Sequence, residues 1–193
     1  MKGFYFFIGT SAEFIKLAPI IKEFRKRKIR FKIITSGQNA INLLEFKNYT
    51  GKLSPYIELP KKISKSSIFG FFVWTVQTFF LSLRLFINEL KTTNKEDFYL
   101  IIHGDTISSL IGCLTAKLLG IKVIQIESGL RSFNIFEPIP EEICRLIITR
   151  LADIFFAPND WALNNLKNSR GEKVNTYENT LIESCLWAVN KND

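Results

Sequence analysis

Asp105, Glu127, Glu141 and Glu142 stand where carboxylates can do chemistry. Asp105 and Glu127 each come just after a short apolar run, Phe98–Ile102 and Lys122–Ile126. Glu141 and Glu142 follow Pro138 and Pro140 and open a helical pattern. In an open parallel sheet, ligands bind beyond the carboxyl ends of the strands. Three such segments therefore deliver carboxylates to one sheet edge. That is a site for proton transfer or cation binding, unlike a dinucleotide fingerprint. Carboxylates sharing a cleft split their pKa values and can serve as acid and base.

Each candidate also has an ordinary structural role. Asp105 lies in a Gly-Asp-Thr turn and can cap the helix that starts at Thr106. Spacing leaves capping and catalysis both open. Glu127 has no capping duty, and Arg131, four residues on, can pair with it. Glu141 and Glu142 suit the positive end of a helix, and Glu141 with Arg145 is an i,i+4 pair. His103 is the single histidine. A lone histidine is more often structural than catalytic; here it can orient Asp105 or line the pocket. No second histidine exists for a zinc site or a serine triad, so those readings lack parts. No cofactor and no metal are called for.

The elements that position these residues alternate regularly. Buried strands are expected at Phe4–Ile8, Phe31–Thr35, Phe98–Ile102, Lys122–Ile126 and Asp153–Ala157, from short continuous apolar runs. Weaker extended pieces are expected at Tyr56–Leu59 and Val174–Tyr177. Between them helical spacing marks Ala12–Arg27, a short helix from Ile41, Thr106–Leu119, Glu141–Leu151, Trp161–Leu166 and Leu181–Val189. Thr10 or Ser11 can cap the first, and free N–H groups there could hold a phosphate or a sugar oxygen. The fold class is α/β: a Rossmann-like parallel sheet with helices on both faces.

Ser66–Leu90 is unusual, having no charge from Ser66 to Leu83. Phe69, Phe72, Val76, Phe79, Phe80 and Leu83 form one helical stripe. The leading reading is a helix packing on the sheet or on a partner. A membrane-surface helix, helped by Lys61, Lys62 and Lys65, comes second, and a true span third. The 193 residues suffice for one domain, and 47% hydrophobic content supplies a core. The net charge of +8 favours an anionic partner or surface. Much of it sits in Lys22–Lys32, read as a solvated face with no nucleic-acid motif beside it. Three cysteines without metal-ligand spacing suggest reduced, packed thiols and a cytoplasmic setting, with peripheral contact at the inner membrane face through Ser66–Leu90. Phe4–Ile8 is too short for a signal peptide, and Gly9-Thr10 breaks it.

Six segments carry a resemblance: IGTSAEFIKLAPII at Ile8–Ile21, SGQN at Ser36–Asn39, HGDT at His103–Thr106, IESGLRS at Ile126–Ser132, PIPEEICR at Pro138–Arg145 and ENTLIES at Glu178–Ser184. In order, over nearly the whole chain, they resemble the non-hydrolysing UDP-N-acetylglucosamine 2-epimerases. The resemblance implies the N-terminal half of a GT-B fold, two Rossmann-like domains facing across a cleft. Residues 1–175 would form the first domain, and 176–193 would begin the connection to a second domain beyond this chain. The implied reaction eliminates UDP, leaves an unsaturated sugar, and re-adds UDP after proton delivery to the other face of C2. By motif, Asp105, Glu127 and Glu141 are the implied proton-transfer residues. Gly9, Thr10, Lys16, Gln38, His103, Arg131 and Glu142 are the implied substrate-binding residues. Two segments depart from the family pattern, GTSAE at Gly9–Glu13 against GTRPE and SGQN at Ser36–Asn39 against TGQH. Ser11 replaces the arginine of GTRPE, and Asn39 replaces the histidine of TGQH. The chain alone is therefore expected to bind UDP weakly and to need a second Rossmann-like domain or chain, or a homo-oligomer. A contrasting expectation is the acceptor-side subunit of a split, membrane-associated glycosyltransferase, or a non-catalytic remnant.

Overall fold

The computed structural model describes residues 2–39, 41, 50, 56–59 and 67–190. Seven parallel strands run β1 (Gly3–Ile8), β2 (Phe31–Thr35), β3 (Tyr56–Glu58), β4 (Phe98–His103), β5 (Lys122–Ile126), β6 (Ile154–Ala157) and β7 (Glu172–Asn175). Their order across the sheet is β3-β2-β1-β4-β5-β6-β7. The order reverses between β1 and β4, so the loops leaving these two strands diverge and open a crevice. The helices are α1 (Ser11–Lys26), α2 (Ile68–Glu89), α3 (Ile107–Leu118), α4 (Glu141–Leu151), α5 (Asp160–Asn165) and α6 (Thr180–Asn190). The short helix expected from Ile41 to Phe46, and the lysines at 61, 62 and 65, fall outside the described residues, apart from Ile41.

Alternation along β1 divides the core. Tyr5 and Phe7 join the cluster under α2, α3 and α4, with Phe86, Cys113 and Ile148. Phe6 and Ile8 join the other cluster, with Phe14, Leu17 and Ile21 of α1. The sheet is thus covered on both faces, as its apolar runs require. A fully buried side chain of this size contributes about 1.5–3 kcal/mol. Cys113 and Cys144 are buried within the first cluster, and burial pushes both thiols up to about 12.

Two expectations need correction. The last strand is Glu172–Asn175, two residues earlier than Val174–Tyr177, because Ile154 to Ala157 pair with Glu172 to Asn175. Tyr177 has φ 59° and is already turning. Helix α2 meets the protein through Gly70, Trp74, Thr78, Ser82 and Phe86. Its apolar stripe does not pack inward: Phe69, Phe72 and Phe80 are 76%, 63% and 62% exposed. The face that packs inward carries Trp74 and Phe86 with Gly70, Thr78 and Ser82 between them, and the Phe69–Phe72–Phe80 stripe lies on the outer side. By length and composition alone, α2 could cross a membrane.

Residues 179–190 pack on the domain. Ser184 Oγ donates to the Ile15 carbonyl at 2.7 Å, and Trp187 joins the cluster under α1.

Candidate active site

The strand ends at the reversal point enclose a cavity of about 240 Å3. The β1–α1 segment contributes Thr10, Ala12, Glu13 and Lys16. The β4–α3 turn contributes His103 to Thr106, β5 and its exit contribute Gln125, Glu127, Gly129 and Leu130, and α4 contributes Arg145 and Thr149.

Glu127 anchors one wall. Lys16 Nζ donates to its Oε2 at 2.6 Å, and Asn179 Nδ2 donates to its Oε1. His103 Nε2 approaches Oε2 at 3.0 Å, close enough for electrostatic attraction but not aligned as a hydrogen bond. Burial works against ionisation here. The His103 and Lys16 contacts outweigh it and hold the carboxyl at about 2. Glu127 is therefore charged at neutral pH. Its backbone has φ 56°, a conformation that strains a residue with a side chain by about 1–3 kcal/mol. The three side-chain contacts hold it there.

Asp105 also lines the cavity and pairs with Arg145. It does not cap α3. Thr106 does, accepting from Ser109 N at 3.0 Å. Arg145 also reaches Glu142 Oε2 at 3.2 Å. Glu142 is fully buried, and Arg131 Nε and Ser132 N donate to it as well. Burial opposes its charge, but Arg131, Ser132 and Arg145 together hold its pKa below the ordinary carboxylate range. Glu142 thus positions Arg145 from behind rather than facing the cavity.

Several expected contacts are replaced by others. Arg131 pairs with Glu142, not Glu127, because the left-handed turn at Glu127 aims its side chain at α1. Arg145 pairs with Glu142 and Asp105 rather than Glu141. Glu141 heads α4 with one buried, unpartnered oxygen, outside the cavity lining. His103 faces Glu127 rather than Asp105. Gln38 accepts from Ser108 N and Oγ at 3.0 and 2.7 Å, and so holds the first turn of α3. Gly9 allows the β1 loop to touch α3, since a Cβ there would lie 2.1 Å from Ser108 Oγ.

Glu13 was not foreseen. Its Oε2 accepts from Gly9 N at 2.7 Å and Thr10 N at 2.9 Å. Its Oε1 accepts from Thr106 Oγ at 2.7 Å and Ser109 Oγ at 2.8 Å. The Gly9 and Thr10 amides, just before α1, are thus held by the chain's own carboxylate, and Thr10 Oγ1 accepts from Glu13 N at 3.2 Å. The readable signal is Thr10-x-x-Glu13, a capping box. Asn179 was also missed, because no local pattern shows that residues after β7 return to β5. Among the described residues, no three His, Cys, Asp or Glu side chains are grouped to hold a metal ion.

Comparison with known proteins shows the family and the fold. The family model "UDP-N-acetylglucosamine 2-epimerase" matches residues 77–193. The chain belongs to this family. It is 30% identical over 183 residues to the UDP-N-acetylglucosamine 2-epimerase of Methanococcus maripaludis, covering 93% of this chain and 46% of that one. The S. aureus MnaA–UDP structure superposes with TM-score 0.80 and 26% identity, over 100% of this chain and 49% of that one. The Neisseria meningitidis UDP-GlcNAc 2-epimerase bound to UDP-GlcNAc gives 0.79 and 25%, over 98% and 49%. The chain spans about half the length of the curated relatives it matches. It is a partial epimerase-like domain, with the parallel α/β sheet of its GT-B relatives.

Proposed function

We propose that this chain supplies the proton-transfer half of a UDP-N-acetylglucosamine 2-epimerase, interconverting UDP-GlcNAc and UDP-ManNAc. One observation carries the reading: two carboxylates, Asp105 and Glu127, each paired to a cation, face one cavity at the reversal point of the sheet. In the proposed reaction a base removes the proton at C2. The C–H electron pair forms the C1=C2 bond, and the C1–O bond breaks with UDP leaving. Addition of UDP and a proton on the other face completes the inversion.

Asp105 and Glu127, which line the cavity, are the proposed proton-transfer residues; Glu141, outside the lining, would join them only if substrate or the second unit brought it into the site. With a pKa of about 2, Glu127 is a weak base while Lys16 and His103 hold it. A diphosphate that drew Lys16 away would raise the proton affinity of Glu127, so substrate itself would arm the base. Thr10, Lys16, His103 and Arg145 line the proposed sugar-diphosphate site. Gly9, Gln38, Arg131 and Glu142 support it from behind. The relatives are about twice as long, which supports a second Rossmann-like unit holding most of the nucleotide. The proposed boundary leaves residues 1–175 as the first domain, with 176–193 leading toward that unit.

The test is C2 solvent-deuterium exchange on UDP-GlcNAc, followed by NMR. Exchange is expected when the chain is combined with a nucleotide-binding half, and no measurable epimerisation from the 193 residues alone. Absence of exchange in every combination would sink the activity. Robust turnover by the purified chain alone would overturn the need for a second half.

The outward rings of α2 favour a second reading, a subunit of a membrane-associated glycosyltransferase. Sugar transfer to an acceptor without C2 exchange would select it.

A further inference from the structure

The basic run Lys22–Lys32 has no part in the site at the carboxyl edge of the sheet. Three of its cations meet at the opposite edge. A cavity of about 710 Å3 opens there, lined by Arg25, Arg30 and Lys32, with Lys2 from the start of β1. The turn ending α1 brings this about. Lys28 has φ 58°, and Ile29 N donates to the Phe24 carbonyl at 2.8 Å, so the chain folds back and sets Arg30 on the same cavity as Arg25.

The charges are not balanced. Lys32 is matched by Glu89, with Nζ 2.6 Å from Oε2, and Tyr5 Oη donates to the same carboxylate at 2.8 Å. Among the described residues, Lys2, Arg25 and Arg30 make no ion pair. Lys2 lies over the Tyr99 ring at 5.6 Å, and Arg25 over the Phe31 ring at 5.9 Å. Asp97 is the remaining carboxylate on the lining. Phe4, Tyr5, Ile29 and Phe31 add an apolar wall. Cations are attracted to the faces of aromatic rings, and guanidinium groups match phosphate geometry. The volume falls in the range of small-ligand pockets.

We propose that this cavity is a second ligand site, which binds a small organic phosphate carrying at least two negative charges. Arg25, Arg30 and Lys2 contact the anionic groups, and the apolar wall takes the body of the molecule. The site lies at the amino ends of β1, β2 and β4, away from Lys16 and Glu127, so it does not depend on the epimerase reading. The same phosphate chemistry could come from a free metabolite or from a phospholipid headgroup. The apolar wall of Phe4, Tyr5, Ile29 and Phe31, beside the cations, suits the compact body of a free metabolite.

The test is calorimetric titration with inorganic pyrophosphate at low ionic strength. The wild-type chain is compared with Arg25→Gln/Arg30→Gln and with Lys16→Ala, each checked by thermal melt. Binding should survive Lys16→Ala and weaken at least about tenfold in the double variant, since each charge-assisted hydrogen bond is worth that much. Arg30→Gln alone, at an exposed residue, serves should the double variant melt early. In a second arm the chain is sedimented with phosphatidylglycerol or phosphatidylcholine vesicles. Binding to the first only, displaced by pyrophosphate, keeps the site and assigns it to a headgroup. No pyrophosphate binding by the wild type, or equal binding by the arginine variants, would overturn the proposal.

Discussion

Lys16 Nζ stands 2.6 Å from Glu127 Oε2, tying the middle of α1 to the end of β5 across 111 residues. This contact and His103 keep Glu127 ionised at about 2, well below its ordinary value of 4.5. A depressed carboxylate stabilises the fold fully above its unfolded pKa and loses that contribution as pH falls through the folded value. Wild-type stability should therefore drop between about pH 4.5 and pH 2, by on the order of 3 kcal/mol from this group. Urea unfolding at pH 6 and pH 2.5 measures it. Glu127→Gln should be less stable at pH 6 and lose most of that acid dependence; an unchanged dependence would mean that the pair contributes nothing.

Asp105 and Thr106 divide two duties that spacing could not separate. Thr106 caps α3 and Arg145 keeps Glu142, so Asp105→Asn, which loses one partly exposed ion pair, should cost no more than about 1 kcal/mol. If Asp105 moves protons, C2 exchange should fall about 10²–10⁴-fold in the combined enzyme. Near-normal exchange in both Asp105→Asn and Glu127→Gln would demote these carboxylates to structural residues.

The Glu13 carboxylate accepts five hydrogen bonds and joins the β1–α1 segment to the start of α3. Glu13→Ala leaves the Gly9 and Thr10 amides without their acceptor. A cost of about 2–4 kcal/mol is expected, since a buried donor that loses its partner costs about 1–3 kcal/mol. Chemical denaturation reads it directly. A change below the noise of the measurement would show that water replaces the carboxylate.

Helix α2 offers the opposite case. Phe69, Phe72 and Phe80 are mostly exposed, so changing all three to Ser should barely alter the melting temperature. Large exposed apolar patches usually mark interaction sites. The parent chain should self-associate or bind detergent, and the variant should lose that behaviour on a sizing column. A monodisperse parent in detergent-free buffer would contradict this.

Much of the architecture was legible locally. Runs such as Phe4–Ile8 and Phe98–Ile102 are apolar throughout because both faces of the sheet are covered, and a continuous run carries that information. Alternation of strands with helices then implied a parallel sheet, and a parallel sheet gathers the residues after its strands on one edge. That put Asp105 and Glu127 on the same edge before any contact was known. The α2 stripe misled because helical spacing shows that one face is apolar, not which face the protein covers. The interior face is the one carrying Gly70, Trp74, Thr78, Ser82 and Phe86, where two large rings pack between small residues.

The sequence by itself determined which residue types stand at each strand end, and hence that carboxylates and cations would share one edge. The pairing of those charges was decided by the tertiary structure. Arg131 is four residues from Glu127 yet pairs with Glu142, whereas Lys16, 111 residues away, pairs with Glu127. Local spacing sets only the reach of a side chain. Its partner depends on backbone direction, here the left-handed turn at Glu127, and on which buried carboxylate most needs a cation. The same holds for the basic run at Lys22–Lys32: composition supplied the charge, and the turn at Lys28 decided that part of it would surround a cavity.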